Sequence, residues 1–541
     1  MLHLRRAALS DKESWQQAGI ETIAFDDAKM RTNTKERPNW VHFGGGNIFR
    51  AFLAAIHQEL LNDGKVDTGI VAVSTYDLEI IEKVYEPYEN LSLLAVMHAD
   101  GSLDKKVIAS VAEGLLGDSS RPTDWQRLCE IFQNPSLQMV SFTITEKGYQ
   151  LTDLSGSYLS EVLQDMQNGP KAPVHVMAKV AALALARYKQ GELPLAFVSM
   201  DNCSHNGDKL AEAVLTFAQA WEKQGFVPSQ FVTYLQNRQK VAFPWTMIDK
   251  ITPRPSEIVQ KKLHDCGFGD TELIRTKKNT FIAPFVNAEG PQYLVIEDHF
   301  PNGRMPLEDV GVLFTDRQTV EKVEKMKVTT CLNPLHTALA VFGCLLGYTL
   351  IADEMKDPEL KQLVEKIGYD EGMPVVVDPE ILKPLSFIQE VLEVRLPNPY
   401  IPDTPQRIAT DTSQKVGVRF GETIKAYQKS DSLRPEDLRF IPLAIAGWCR
   451  YLLAIDDQGK PFELSPDPLA EKLTAYLQQV KLGDTDCLKI HEALAPILSN
   501  EDLFGINLYE AGLGNKIEEY FAAMIEGSGA VRKTLQQELA K

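Results

Sequence analysis

The sequence predicts an α/β chain in two domains. A doubly wound, largely parallel sheet covers residues 1–290, and a mainly α-helical domain covers residues 291–541. Three observations predict it. An apolar strand at 41–43 runs through three consecutive glycines into a helix. Apolar strand-like runs then alternate with helical patterns, the signature of βαβ units. From Val320 onward helical periodicity takes over, with proline-rich joints between segments. A length of 541 residues suits two or more domains.

The first unit reads as strand, Gly44-Gly45-Gly46, then a helix over 51–62. This is the layout of a Rossmann-type dinucleotide-binding turn. Gly44 permits the tight turn and Gly46 lets backbone approach a pyrophosphate. Asn47, Ile48, Phe49 and Arg50 open the helix, whose first N–H groups face that anion. Phe49 stands where a third glycine is usual, and an ordinary loop can have the same glycine content.

A second strand over 69–74 ends near Asp77, placed to hold a ribose hydroxyl. The alternative is a solvated loop aspartate. No arginine follows closely, which favours NAD (NADH) over NADP. Residues 107–112 read as a strand. Strands over 139–145 and 195–200 end in Thr145-Glu146 and Asp201-Asn202. Such strand ends are where open α/β sheets bind ligands. A helix over 174–188 lies between them. Prolines break residues 243–255 into loop and short strand. There Asp249, between apolar neighbours, reads as a structural cap. A strand over 293–298 follows, with the domain boundary nearby.

The second half reads as helices over 320–325, 329–350, 358–367, 379–394, 415–429, 435–455, 468–482 and 517–540. KVTTCLNPLH sets Lys327, Asn333 and His336 at the front of a long apolar helix. A lysine is costly to bury unless paired or deprotonated. Lys327 reads as a proton-transferring base, with Asn333 and His336 gripping a substrate oxygen. In a polar, proline-rich joint, Arg407 and Lys415 read by default as solvated cations; together they are able to bind a carboxylate.

The net charge of −18, with no basic block, argues against a nucleic-acid partner. A local cation cluster can still hold an anionic small molecule. The seven cysteines are scattered without a CxxC pair, as expected of reduced thiols in a cytoplasmic protein. No Cys/His set has zinc spacing, so no metal is expected. The start lacks the apolar core of a signal peptide. The apolar run over 338–352 is interrupted by Gly343 and Gly347 and is short for a bilayer, so no membrane partner is expected.

Seven segments, in order, carry a family resemblance: HFGGGNIFRAF, TITEKGY, SMDNCSHNG, IDKITP, VIEDHFPNGR, MKVTTCLNPLHTALA and NPYIPDTPQRIATDTSQK. The chain resembles the polyol-specific long-chain dehydrogenases and reductases, the mannitol dehydrogenase family. The resemblance implies a Rossmann-type domain followed by a mainly helical one, with NAD and no catalytic metal. It implies Lys327 as general acid/base and Asn202 and Asn333 as holders of the reacting oxygen. His336, Asp249, Arg407 and Lys415 would bind substrate, which reverses the structural readings of the last three. The implied reaction interconverts D-fructuronate and D-mannonate, with mannitol/fructose or tagaturonate as alternatives. A non-catalytic dinucleotide-binding redox sensor would need no such base. A monomer or small homo-oligomer is expected.

One departure yields a geometric expectation. The family pattern places lysine five residues before the asparagine, whereas Lys327 stands six before Asn333. Each helical residue turns about 100°. Keeping Lys327 on the substrate face therefore requires an irregular lead-in or a π-bulge near Thr329-Thr330.

Overall fold

The structure, a computed structural model, describes residues 1–153 and 155–541. It divides into two compact units, Met1–Glu321 and Lys322–Lys541.

The first unit is built on six strands: β1 (Trp40–Phe43), β2 (Ile70–Ser74), β3 (Val111–Leu116), β4 (Met139–Phe142), β5 (Leu195–Ser199) and β6 (Val241–Ala242). Every pairing is parallel and the spatial order is 3-2-1-4-5-6. β1, β2, β4 and β5 are buried throughout, as expected of strands covered by helices on both faces. The order reverses between β1 and β4, the switch point beside which such sheets bind ligands.

Three smaller sheets accompany this core. In one, Ser92–Met97 pairs antiparallel with Leu103–Ile108 and parallel with Phe285–Ala288. The expected single strand over 107–112 is therefore corrected. Residues 107–108 end one strand and residues 111–112 begin β3. Gln58 fixes the corner between them, donating to Val107 O and accepting from Ala109 N, both at 2.7 Å. The domain boundary is corrected as well. Tyr293–Glu297 pairs with Thr246–Asp249 and Leu313–Thr315, which keeps the chain past residue 290 in the first unit.

The second unit is helical, and several expected helices contain π-turns. Lys327–Cys331 is a π-helix; Leu332 breaks it at φ −133°, ψ −62°, and α1 (Asn333–Leu346) begins. Gly347, at φ +80°, ends α1. The expected helix over 415–429 is a π-segment, Gly417–Gly421, running into Glu422–Lys429. The expected helix over 517–540 splits into Gly514–Met524 and Ala530–Ala540, and Cys487–Leu498 is an additional helix. α2 (Phe440–Tyr451) packs on α1, with Gly447 where a Cβ would lie 2.8 Å from the Phe342 ring. The buried carboxylate of Glu371 caps α2, accepting from Arg439, Phe440 and Ile441 N–H groups.

The run Arg317–Leu346 is apolar enough by composition to cross a membrane, but 72% of its apolar window is buried inside the protein.

Candidate functional site

In the first unit the glycine turn leaves β1 at the switch point. Gly44 has φ +115°, and a Cβ there would lie 2.2 Å from the Thr143 carbonyl oxygen after β4. No other residue fits. The turn is clamped by Gly44 N–H donating to Val73 O and by the Tyr85 hydroxyl donating to Gly45 O at 2.9 Å. At Gly46 a Cβ would meet nothing within 4 Å. The helix starts at Asn47 and Ile48, both half-buried. Open space over Gly46, beside a helix N-terminus, fits a pyrophosphate.

The side chains of the next two residues turn inward. Phe49 is fully buried and stacks on His42 with ring centroids 4.3 Å apart. Arg50 is buried too; its guanidinium donates to Ala283 O and Asn47 Oδ1. Neither side chain is available to a cofactor, so only their backbone serves the helix start.

Asp77 is held by its own surroundings. Its Oδ2 accepts from the Thr276 hydroxyl at 2.6 Å and from the Thr280 hydroxyl, and its Oδ1 accepts from Glu79 N–H. The carboxylate ties down the 276–280 turn. Glu146 is exposed and paired with Lys209. Thr145, however, is strained: φ is +63° and ψ 164°, a region that a β-branched residue rarely adopts. Asp201 holds it there, accepting from Thr145 N–H at 2.8 Å, Ile144 N–H at 3.0 Å and the Tyr149 hydroxyl at 2.6 Å. Asn202, next in sequence, is exposed at the C-terminal end of β5. Asp249 ends its strand nearly buried. Asp201 stands at the strand end that the sequence marks for ligand binding, but its carboxylate serves the backbone after β4 instead.

The second unit gathers the other expected residues. Lys327 opens the π-helix and is 2% exposed. The expected irregularity is present as a π-helix. Asn333 Oδ1 and His336 Nε2 are buried without a hydrogen-bond partner. They are three residues apart on α1 and so share a face. Thr337 follows, its hydroxyl donating to Asn333 O at 2.9 Å.

Charge around His336 is positive. Burial first, then the fields of Arg419, Arg407 and Arg395, push its imidazole down to about 3. Asp403 approaches His336 Nε2 at 3.5 Å but is already bound by the Arg407 guanidinium. His336 is therefore a neutral imidazole at ordinary pH. Lys415 donates to Thr410 O at 2.5 Å; burial, then Arg419, holds its amine below the usual lysine range. Arg419 was missed in the sequence, though it stands four residues after Lys415, on the same helical face.

Among the described residues no cluster of His, Cys, Asp or Glu could hold a metal ion. A dinucleotide-type turn on a parallel sheet, followed by a helical unit with a buried lysine and unpartnered polar atoms, defines a dinucleotide-dependent oxidoreductase. The chain belongs to the mannitol dehydrogenase family: it matches the family's Rossmann domain over residues 38–309 and its C-terminal domain over residues 319–525. It is 56% identical to a D-mannonate oxidoreductase of Thermotoga maritima over 538 residues, 99% of each chain. It also resembles the crystal structure of a D-sorbitol dehydrogenase, with TM-score 0.79 and 25% identity, covering 95% of this chain and 97% of that one. A Pseudomonas fluorescens mannitol 2-dehydrogenase, solved with NAD and D-mannitol, aligns with TM-score 0.71 and 26% identity, covering 98% and 99%.

Proposed function

We propose that the chain interconverts D-fructuronate and D-mannonate with NAD(H). The observation that carries this reading is the polar face of the second unit. Buried Lys327 opens the π-helix, and on α1 just after it Asn333 Oδ1 and His336 Nε2 are buried without partners, His336 in the field of three arginines. Unpartnered buried polar atoms are costly, and a polyhydroxy acid supplies what they lack. The likeness to a D-mannonate oxidoreductase at 56% identity supports the same substrate.

When bound, the nicotinamide supplies or accepts the hydride. Gly44, Gly46 and the start of the Asn47 helix would hold its pyrophosphate. Lys327 donates a proton to the substrate oxygen in reduction and takes it back in oxidation. Asn333 offers amide N–H groups to the developing alkoxide. Neutral His336 grips a neighbouring hydroxyl. The arginines favour a carboxylate-bearing substrate over a neutral polyol. We read the protein as cytoplasmic and as a monomer or small homo-oligomer; its seven free cysteines agree with a reducing compartment.

The test is NADH consumption by purified protein with D-fructuronate, and identification of D-mannonate as the product. No consumption with any uronate would remove the reading.

A further inference from the structure

Two cations of the second unit stand without a counter-ion. Arg419 donates to the Thr337 hydroxyl, and Lys415 donates to Thr410 O; among the described residues neither has a carboxylate at ion-pair distance. Arg407 differs, being bound to Asp403 with a side chain that is 63% exposed.

The position of Arg419 is fixed from both sides. It lies on the π-segment Gly417–Gly421, pressed against residues 503–504. A Cβ at Gly417 would lie 2.6 Å from Leu503 O, and one at Gly421 would lie 1.9 Å from Phe504 O. Arg419 N–H donates to Lys415 O at 2.9 Å, which sets the two cations one turn apart. On the other side Thr337, held by Arg419, is one turn along α1 from Asn333. One turn advances about 5.4 Å. In a hexuronate the reacting carbonyl carbon and the carboxylate carbon are separated by four C–C bonds of about 1.52 Å, a span of roughly 5 Å when extended. A ligand gripped at its carbonyl by Asn333 thus has its acid end one turn away.

A guanidinium drawn out of water without an anion is costly. Burial brings Arg419 down to about 10, and no protein carboxylate offsets the loss. A planar carboxylate matches the guanidinium fork.

We propose that Arg419, supported by Lys415, binds the substrate's carboxylate, and that Arg407, already held by Asp403, does not. This rests on the uronate reading above and names the residue that selects for it.

The experiment compares wild type, Arg419→Gln, Arg419→Lys and Arg407→Gln. Glutamine keeps a donor for Thr337 and removes the charge; lysine keeps the charge and loses the fork. The readouts are KM and kcat for D-fructuronate, and the thermal shift induced by D-mannonate. Arg419→Gln is expected to raise KM about ten- to a hundredfold, the worth of a charge-assisted hydrogen bond, and to abolish the D-mannonate shift. Arg419→Lys should fall between wild type and Arg419→Gln, and Arg407→Gln should raise KM less than Arg419→Gln. KM within about twofold of wild type in Arg419→Gln, or a larger loss from Arg407→Gln, would overturn the assignment while leaving the uronate reading intact. Wild-type protein that ignores both uronate and D-mannonate would overturn both.

Discussion

His336 Nε2 stands 3.5 Å from Asp403 Oδ2 without forming a hydrogen bond. An imidazolium there would gain a carboxylate partner, yet burial and three arginines hold the ring neutral. Asp403 serves Arg407 instead. His336→Gln is expected to lower kcat/KM about a hundredfold, as for loss of one donor to reacting oxygens. Because the His336 imidazole is pushed down to about 3, the acid limb of the kcat/KM profile should be the same in wild type and variant. A limb that disappears in His336→Gln would contradict the neutral assignment.

Lys327 is buried at the first position of the π-helix, and it carries the proton in this account. Lys327→Ala should lower kcat by about 10²- to 10⁴-fold, the usual contribution of a general acid/base. NADH affinity should be unchanged within about twofold, since the glycine turn is untouched. Wild-type turnover in Lys327→Ala would remove it from the mechanism.

The glycines of the turn separate folding from binding. Gly44→Ala forces a Cβ against Thr143 O at a φ of +115°, so thermal stability should fall by about 2–4 kcal/mol. Gly46→Val has room around its Cβ and should fold normally. Its side chain would occupy the pyrophosphate space and raise the NADH dissociation constant at least about tenfold. Equal affinity for NADH in Gly46→Val and wild type would place the cofactor elsewhere.

Glu354 gives a pH prediction. It is fully buried, both carboxyl oxygens lack partners, and burial, then Asp357, pushes it up to about 9. The raised folded value means that the unfolded chain loses this proton near the ordinary glutamate value of 4.5 while the folded protein keeps it. Stability attributable to Glu354 is therefore full below about 4.5 and declines up to about 9, by about 3 kcal/mol at pH 7. Glu354→Gln should flatten the fall in stability between about pH 5 and 9. An unchanged slope in denaturant titrations would show that the carboxyl is not protonated in the folded state.

What the sequence disclosed was local. The glycine turn could be read because strand, glycines and helix are contiguous, and the π-helix followed from one surplus residue between Lys327 and Asn333. What stayed hidden depends on distant partners. Arg50 turns inward to a carbonyl at Ala283, and Asp77 is taken by Thr276 and Thr280. The strand at 293–297 pairs back to 246–249, which moved the domain boundary. Arg419 was passed over because only the fold sets it against Thr337.

The central claim is that this chain reduces a ketouronate, and competition among substrates tests it most directly. NADH oxidation with D-fructuronate, D-tagaturonate and D-fructose, run side by side on the same protein, should give the highest kcat/KM for D-fructuronate. Fructose turning over faster than either uronate would contradict the account, because Arg419 and Lys415 would then have no carboxylate to serve.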